Sequence, residues 1–143
     1  MSLVVTQNIV MVPILDVVKT NVSLVRKIPI TVIELNVNQH DSAGFNFTVT
    51  DEVGDPILFT TMAEVVFSVA RRKNANSLIS LTKTSGRLYE IAANQFYLEL
   101  TSAETGSLDP GEYYCEIRYS VDSRVATLGG GIFRVADTQI GDL

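Results

Sequence analysis

A chain of 143 residues fits a single domain and is long enough to bury a core without metal or disulfide support. Eleven basic residues against sixteen acidic ones give a net charge of −5, which argues against nucleic acid as a partner, and a single cysteine, Cys115, excludes an internal disulfide. With one histidine, no tryptophan and no phosphate-cradling glycine motif, the chain offers few of the groups that catalysis recruits, so no enzyme and no cofactor is expected.

Residues 1–30 stand apart in composition. Seventeen of them are Met, Val, Leu or Ile, and Asp16 against Lys19, Arg26 and Lys27 gives a net +2, whereas residues 31–143 hold eight basic and fifteen acidic side chains, a net −7. No basic residue precedes Lys19 and no small-residue cleavage site follows an uninterrupted apolar run, so a signal peptide is not expected. Pro13, Asp16 and Lys19 interrupt Ile9 to Val18, which falls well short of the roughly 20 apolar residues that span a bilayer, and no membrane association is expected. The triplets at Asn21 and Asn46 match the glycosylation pattern by chance on this reading, and an unpaired cysteine fits folding in a cytoplasm. So apolar a segment must pack on something. Two readings stand side by side. In one, residues 1–30 are an assembly arm whose Val10, Val12, Ile14, Val17 and Val18 bury against a neighbouring subunit; in the other, they supply the first one or two strands of the domain itself.

From Thr31 onward a period of two dominates. Ile33, Leu35 and Val37 share one face of a strand, Phe45, Phe47 and Val49 another, and Asp51, Gly54, Asp55 and Pro56 then supply turn chemistry. Val65, Phe67 and Val69 mark a further half-buried strand that ends in the polar run Arg71, Arg72, Lys73 and Asn74. Shorter strands are predicted at Leu78 to Lys83 and Leu88 to Ile91, and Phe96, Leu98 and Leu100 alternate with Tyr97 and Glu99. A short helical turn is predicted over Ser102 to Ser107, with Thr101 or Ser102 as its cap and Glu104 early in the turn. Glu112 to Val121 is the clearest strand, central and buried on the side of Tyr113, Cys115, Ile117, Tyr119 and Val121. A turn at Val121 to Ser123, a short strand over Arg124 to Leu128 and a last strand through Gly131, Phe133 and Val135 complete the series, with Gly129, Gly130 and Gly131 marking a bulge or a close backbone approach. Seven or more short, evenly spaced strands predict an all-β fold, a single antiparallel sandwich or barrel, over residues 31–138, followed by a short tail over 139–143.

Few constellations carry chemistry. Asp109, Tyr113 and Cys115 have the spacing of the immunoglobulin tyrosine corner, which makes Tyr113 a candidate to tie a crossing loop to its strand, although the partner cysteine and core tryptophan are missing. Cys115 reads as a core hydrophobe rather than a nucleophile paired with His40, which lies in the polar loop Asn38 to Gly44. Asp51, Glu52 and Asp55 fit a turn better than a calcium loop, which requires six to eight oxygens, so no metal ligand is assigned. Arg71, Arg72 and Lys73 are too few for phosphate tracking and read as a strand end or an ion-pairing patch.

The run from Gly44 to Ile57, with its D-x-x-G-x-P-I turn, the stretch Leu98 to Tyr114, with its L-T-x-x-E-T and P-G-x-Y-x-Y pattern, and the closing Thr127, Leu128, Gly131, Phe133 and Val135 occur in an order that resembles a known family. These residues resemble the small immunoglobulin-like β-sandwich domains of tailed-bacteriophage structural proteins, above all the N-terminal domain of baseplate upper proteins. The resemblance implies an immunoglobulin-like sandwich without catalytic residues, working as a virion component in baseplate, tail, neck or head decoration, with other virion proteins or repeated copies of itself as partners. The alternative is a surface- or carbohydrate-binding module in which Tyr97 and Tyr114, both on the predicted outward face, stack on a ligand beside the loop residues His40 and Asp41.

Overall fold

The computed structural model describes residues 5–11, 31–50, 55–121 and 124–137. In chain order they form β1 (Val5–Met11), β2 (Thr31–Asn38), β3 (Ala43–Val49), β4 (Glu64–Ala70), β5 (Ser77–Thr82), β6 (Leu88–Ala92), β7 (Gln95–Leu100), the helical turn α1 (Ser102–Gly106), β8 (Gly111–Val121) and β9 (Arg124–Ala136). A single 3₁₀ turn, Phe59–Thr61, precedes β4. The strands make two packed sheets, one ordered β1-β3-β7-β6 and the other β2-β9-β8-β4-β5. The fold is an all-β sandwich, and β8 is the middle strand of the larger sheet.

The period-two pattern places the core. Ile33, Leu35 and Val37 of β2, Val65, Phe67 and Val69 of β4, Tyr113, Cys115, Ile117 and Tyr119 of β8, and Phe133 and Val135 of β9 face inward from the larger sheet. Phe45, Phe47 and Val49 of β3 and Phe96, Leu98 and Leu100 of β7 meet them from the smaller one. Phe96 stacks between Phe47, at 5.1 Å between ring centroids, and Phe59, at 4.9 Å. Phe59 is held over this pair by the 3₁₀ turn, whose Phe59 and Met62 carbonyls accept hydrogen bonds from Lys83 Nζ at 2.9 and 2.6 Å. The same ammonium lies 4.3 Å from the Phe59 ring centroid, a cation–π contact that covers the outer side of the stack.

Two strand pairs differ from the expected antiparallel sandwich. β1 runs parallel to β3, and β2 runs parallel to β9. Neither pair is joined by a hairpin: β2 passes directly into β3 of the other sheet, and β9 lies at the far end of the chain, so no tight turn imposes opposite directions. A second difference concerns the C-terminal strands. The predicted strand over Arg124 to Leu128 and the one through Gly131 to Val135 are one continuous strand, β9, paired along its length with β8. Ile117 pairs with Gly129 and Arg118 with Thr127, which leaves Leu128 as the extra residue of a bulge. The bulge turns Leu128 into the core, where it is buried, and the glycines that follow carry the strand on beside β2.

The helical turn is capped as its composition predicts. Glu104 N–H donates to Thr101 Oγ1 at 3.1 Å, and the Glu104 carboxylate accepts from Thr101 N–H at 2.9 Å, a reciprocal capping box. Arg87 Nη2 donates to the same carboxylate at 2.6 Å and to the Glu99 carbonyl at 3.0 Å, tying α1 to the turn before β6. Burial pushes the Glu104 carboxyl up, but the bond and charge of Arg87 and the bond from Thr101 N–H outweigh it and hold it below the usual glutamate range. A carboxyl whose folded pKa is lowered stabilises the fold fully above the unfolded value of about 4.5, and that stabilisation is lost as pH falls through the folded value. Glu104→Gln is therefore expected to cost about 0.5 to 1 kcal/mol at pH 7. In urea titrations the gap to the unmodified chain should narrow as pH falls below 4.5 and through the lowered folded value; a gap independent of pH would show that the charge of Glu104 contributes nothing.

Candidate interaction surface

A two-sheet sandwich leaves four edges, among the described residues β1 and β6 of one sheet and β2 and β5 of the other. An open edge offers unpaired backbone groups to another chain unless something blunts it. β6 is short, carries a register shift between Glu90 and Ala92, and exposes Tyr89 and Ile91. β5 pairs with β4 through a shift at Val69 and Ala70 and exposes Leu78. Bulges and shortness therefore blunt both of these edges. β1 and β2 have no such irregularity and pair with their neighbours in unbroken register over seven and eight residues.

The β2 edge is clamped from its outer face. Arg134 of β9 donates to Glu112 of β8 from Nε at 2.9 Å and to Glu34 of β2 from Nη1, so one guanidinium spans three strands. The bonds to Glu112 and Glu34 push the Arg134 pKa up further. On the inward side Gly131 lies so close to Ile33 that a Cβ there would overlap the Ile33 carbonyl. β2 is thus fixed from both faces. Below the clamp, at the β2–β3 end of the sandwich, is a cavity of about 410 Å³ lined by Asn36, Asn38, Asp41, Glu112 and Arg134. In that lining Arg134 engages the Glu112 carboxylate, and Asp41 adds a second carboxylate.

β1 is held differently. Its register runs from Val5 opposite Ala43 to Met11 opposite Val49, and Ile9, half-buried, packs against the core. Val10 of the proposed arm lies in this strand opposite Thr48; Val12, Ile14, Val17 and Val18 fall outside the described residues. The pairing places β1 on the same molecule's β3.

The remaining sequence-selected residues are scattered. Tyr113 Oη donates to the Asp109 carbonyl four residues upstream, at 2.7 Å, closing the loop that leads from α1 into β8. That loop is fastened to the β2–β3 turn as well, because Thr105 Oγ1 donates to the Asp41 carbonyl at 2.7 Å and Gln39 Nε2 to the Leu108 carbonyl at 3.0 Å. Tyr113→Phe removes one bond at the surface of the core and is expected to lower stability by about 1 kcal/mol without changing the circular-dichroism spectrum; no loss in urea denaturation would mean that the corner bond contributes nothing. Tyr97 lies across Gly44, where a Cβ would sit 2.8 Å from its Cζ, donates from Oη to Glu99 at 3.1 Å, and meets Tyr89 at 5.5 Å. Tyr114 lies across Gly130 and donates to Glu116 at 3.1 Å. Burial, with the Glu116 charge, pushes its pKa to about 12. Each of the two rings thus covers a glycine backbone of its own sheet, on opposite sheets. Tyr89, which the alternating pattern gave no reason to single out, is the more exposed member of its pair.

Arg71, Arg72 and Lys73 are all exposed in the β4–β5 turn. Cys115 is fully buried at the centre of β8, and burial pushes its thiol to about 12. His40 is exposed in the β2–β3 turn with its ring against Gly106, so the structure does not bring thiol and imidazole together. Asp55 is exposed, while Asp51 and Glu52 fall outside the described residues. Among the described residues there is no group of three or more His, Cys, Asp or Glu side chains able to hold a metal ion, and no helix long and apolar enough to cross a membrane.

No family model matches the chain, and no curated protein matches it. Among solved structures, it is similar to the N-terminal domain of phage TP901-1 ORF48, at 12% identity and a TM-score of 0.44 over 92% of this chain and 98% of that one.

Proposed function

We propose that this protein is a non-enzymatic structural component of a tailed-phage virion that works through contacts between subunits, made by its N-terminal strand and its sheet edges. The observation that carries this reading is the place of β1: the apolar, basic N-terminal region supplies an edge strand, paired along β3, whose one described side chain, Ile9, is only half-buried against the core. An apolar strand at the edge of a sheet is the part of a sandwich best placed to pair with another chain. The motifs that resemble phage sandwich domains add support, because they occupy packing and turning positions: Thr101 and Glu104 in the capping box, Tyr113 at the corner, and Gly131 against β2. Opposite net charges on residues 1–30 and 31–143 favour contact of one copy's N-terminal region with another copy's body.

Light scattering of the full-length chain and of a chain lacking residues 1–25 tests this reading. The full-length protein should form a defined oligomer, and the shortened one a monomer with the same β-rich circular-dichroism spectrum. Identical monomers in both cases would remove the assembly role. A second reading, a surface-binding module, is favoured only by the exposed Tyr89 beside Tyr97. Binding on a glycan array that is lost in Tyr89→Ala would support it.

A further inference from the structure

We propose that β1 is an exchanged strand: in the assembled state the Val5–Met11 segment of one copy pairs with the β3 edge of a second copy, in the register it shows here with its own. This inference rests on the assembly reading above and names the surface and partner it uses.

Four observations converge on β1 and on no other strand. First, the one β1 side chain described, Ile9, is only half-buried against the core, whereas β2, at the equivalent edge of the other sheet, buries Ile33, Leu35 and Val37. Second, among the described residues β1 is held along one side, by β3. β2, by contrast, is fixed by the Arg134 clamp and by the Gly131 contact, and is bound to β3 by the short turn Gln39 to Ser42. Third, the connection is long enough. Nineteen residues separate Met11 from Thr31. Since β1 runs parallel to β3, and β2 leads into β3 through a short turn, Met11 and Thr31 lie at the same end of the sandwich. A nineteen-residue stretch spans up to about 65 Å when extended, and a domain of this size is about 35 Å across, so β1 can reach the next copy without disturbing β2. Fourth, β3 is a receptive edge: Phe45–Val49 alternates buried with half-buried residues and its pairing with β7 has no bulge, so it accepts the same strand from either copy. Exchange keeps that edge paired in every subunit, because the same backbone bonds form within a copy or between copies.

The register supplies the test. Asn8 of β1 lies directly opposite Asn46 of β3. Full-length Asn8→Cys and full-length Asn46→Cys are mixed, allowed to assemble and oxidised. Neither variant alone can form the Asn8–Asn46 cross-link, so a covalent dimer between them arises only if β1 of one copy lies on β3 of the other. Cys115 is buried and stays out of the reaction. The expected result is a covalent dimer as the main oxidised product, at least tenfold above a control mixture of Asn8→Cys with Gln95→Cys, which lies one strand further in. An oligomer by light scattering without that dimer, together with ready cross-linking inside a single chain carrying both Asn8→Cys and Asn46→Cys, overturns the exchange and leaves the assembly reading standing. A full-length chain that stays monomeric under all conditions removes both.

Discussion

Gly131→Ala should destabilise the sandwich by roughly 3 kcal/mol or more, while Gly130→Ala, its immediate neighbour, should change stability by less than about 1 kcal/mol. The two glycines sit on opposite faces of β9 and meet different obstacles. A methyl group at Gly131 overlaps the Ile33 carbonyl and comes within 3.0 Å of the Ile33 carbonyl carbon and nitrogen, all of them backbone atoms of the paired strand. Backbone cannot rotate away, so β2 must move off β9, and Ile33, Leu35 and Val37 lose burial with it. At Gly130 the nearest atom is the Tyr114 hydroxyl at 2.9 Å, the far end of a side chain that can swing out, and the next is the Cys115 carbonyl at 3.4 Å. Urea midpoints for both variants decide the matter. Equal losses would show that the β2 seam does not depend on the missing Cβ. A Gly131→Ala chain that unfolds outright still separates the two positions, provided that Gly130→Ala folds.

The same seam shows what could and could not be read from the residues. Alternation alone located β2, β3, β4, β7 and β8, because a strand with one buried face writes its period into the sequence. The cap of α1 was legible for a similar reason: Thr101 and Glu104 satisfy each other's backbone within four residues. The spacing of Asp109 and Tyr113 is likewise local, and it marks where a hydroxyl reaches back four residues. Parallel pairing was not legible, since β2 and β9 meet across about a hundred residues and the side-chain period is the same for either direction. The three glycines signalled a close approach but not the strand that approaches. The Glu34–Arg134–Glu112 clamp was equally hidden, as its members belong to three separate strands and each reads alone as a solvated charge. The candidate surface suffers most from this. An edge is defined by which strands lie outermost, a property of the whole sheet order that composition does not encode.

Phe96→Ala is expected to cost 3 to 5 kcal/mol, a large share of the 5 to 15 kcal/mol that holds a domain of this kind together. Phe96 is fully buried on β7, and its ring is the middle of a three-ring stack with Phe47 and Phe59. Truncation removes the buried ring, opens a cavity between two others, and deprives Phe59 of the surface that Lys83 presses it against. The 3₁₀ turn carrying Phe59 is fastened by two hydrogen bonds from Lys83 and cannot collapse freely into the gap, which places the cost toward the upper part of the range. Thermal unfolding should then move down by about 10 to 20 °C. A double-mutant cycle with Phe96→Leu and Phe59→Leu separates stacking from burial, and a coupling of about 0.5 to 1.5 kcal/mol is expected between the two rings. Tyr89→Ala serves as the contrast: its ring is 49% exposed at the β6 edge, and its loss should cost less than about 1 kcal/mol. If Tyr89→Ala and Phe96→Ala fell equally, the aromatic stack would not be the centre of the fold. If only Phe96→Ala fell, the exposed aromatic face of β6 would be dispensable for folding, and its apolar surface would remain available for contact with another molecule.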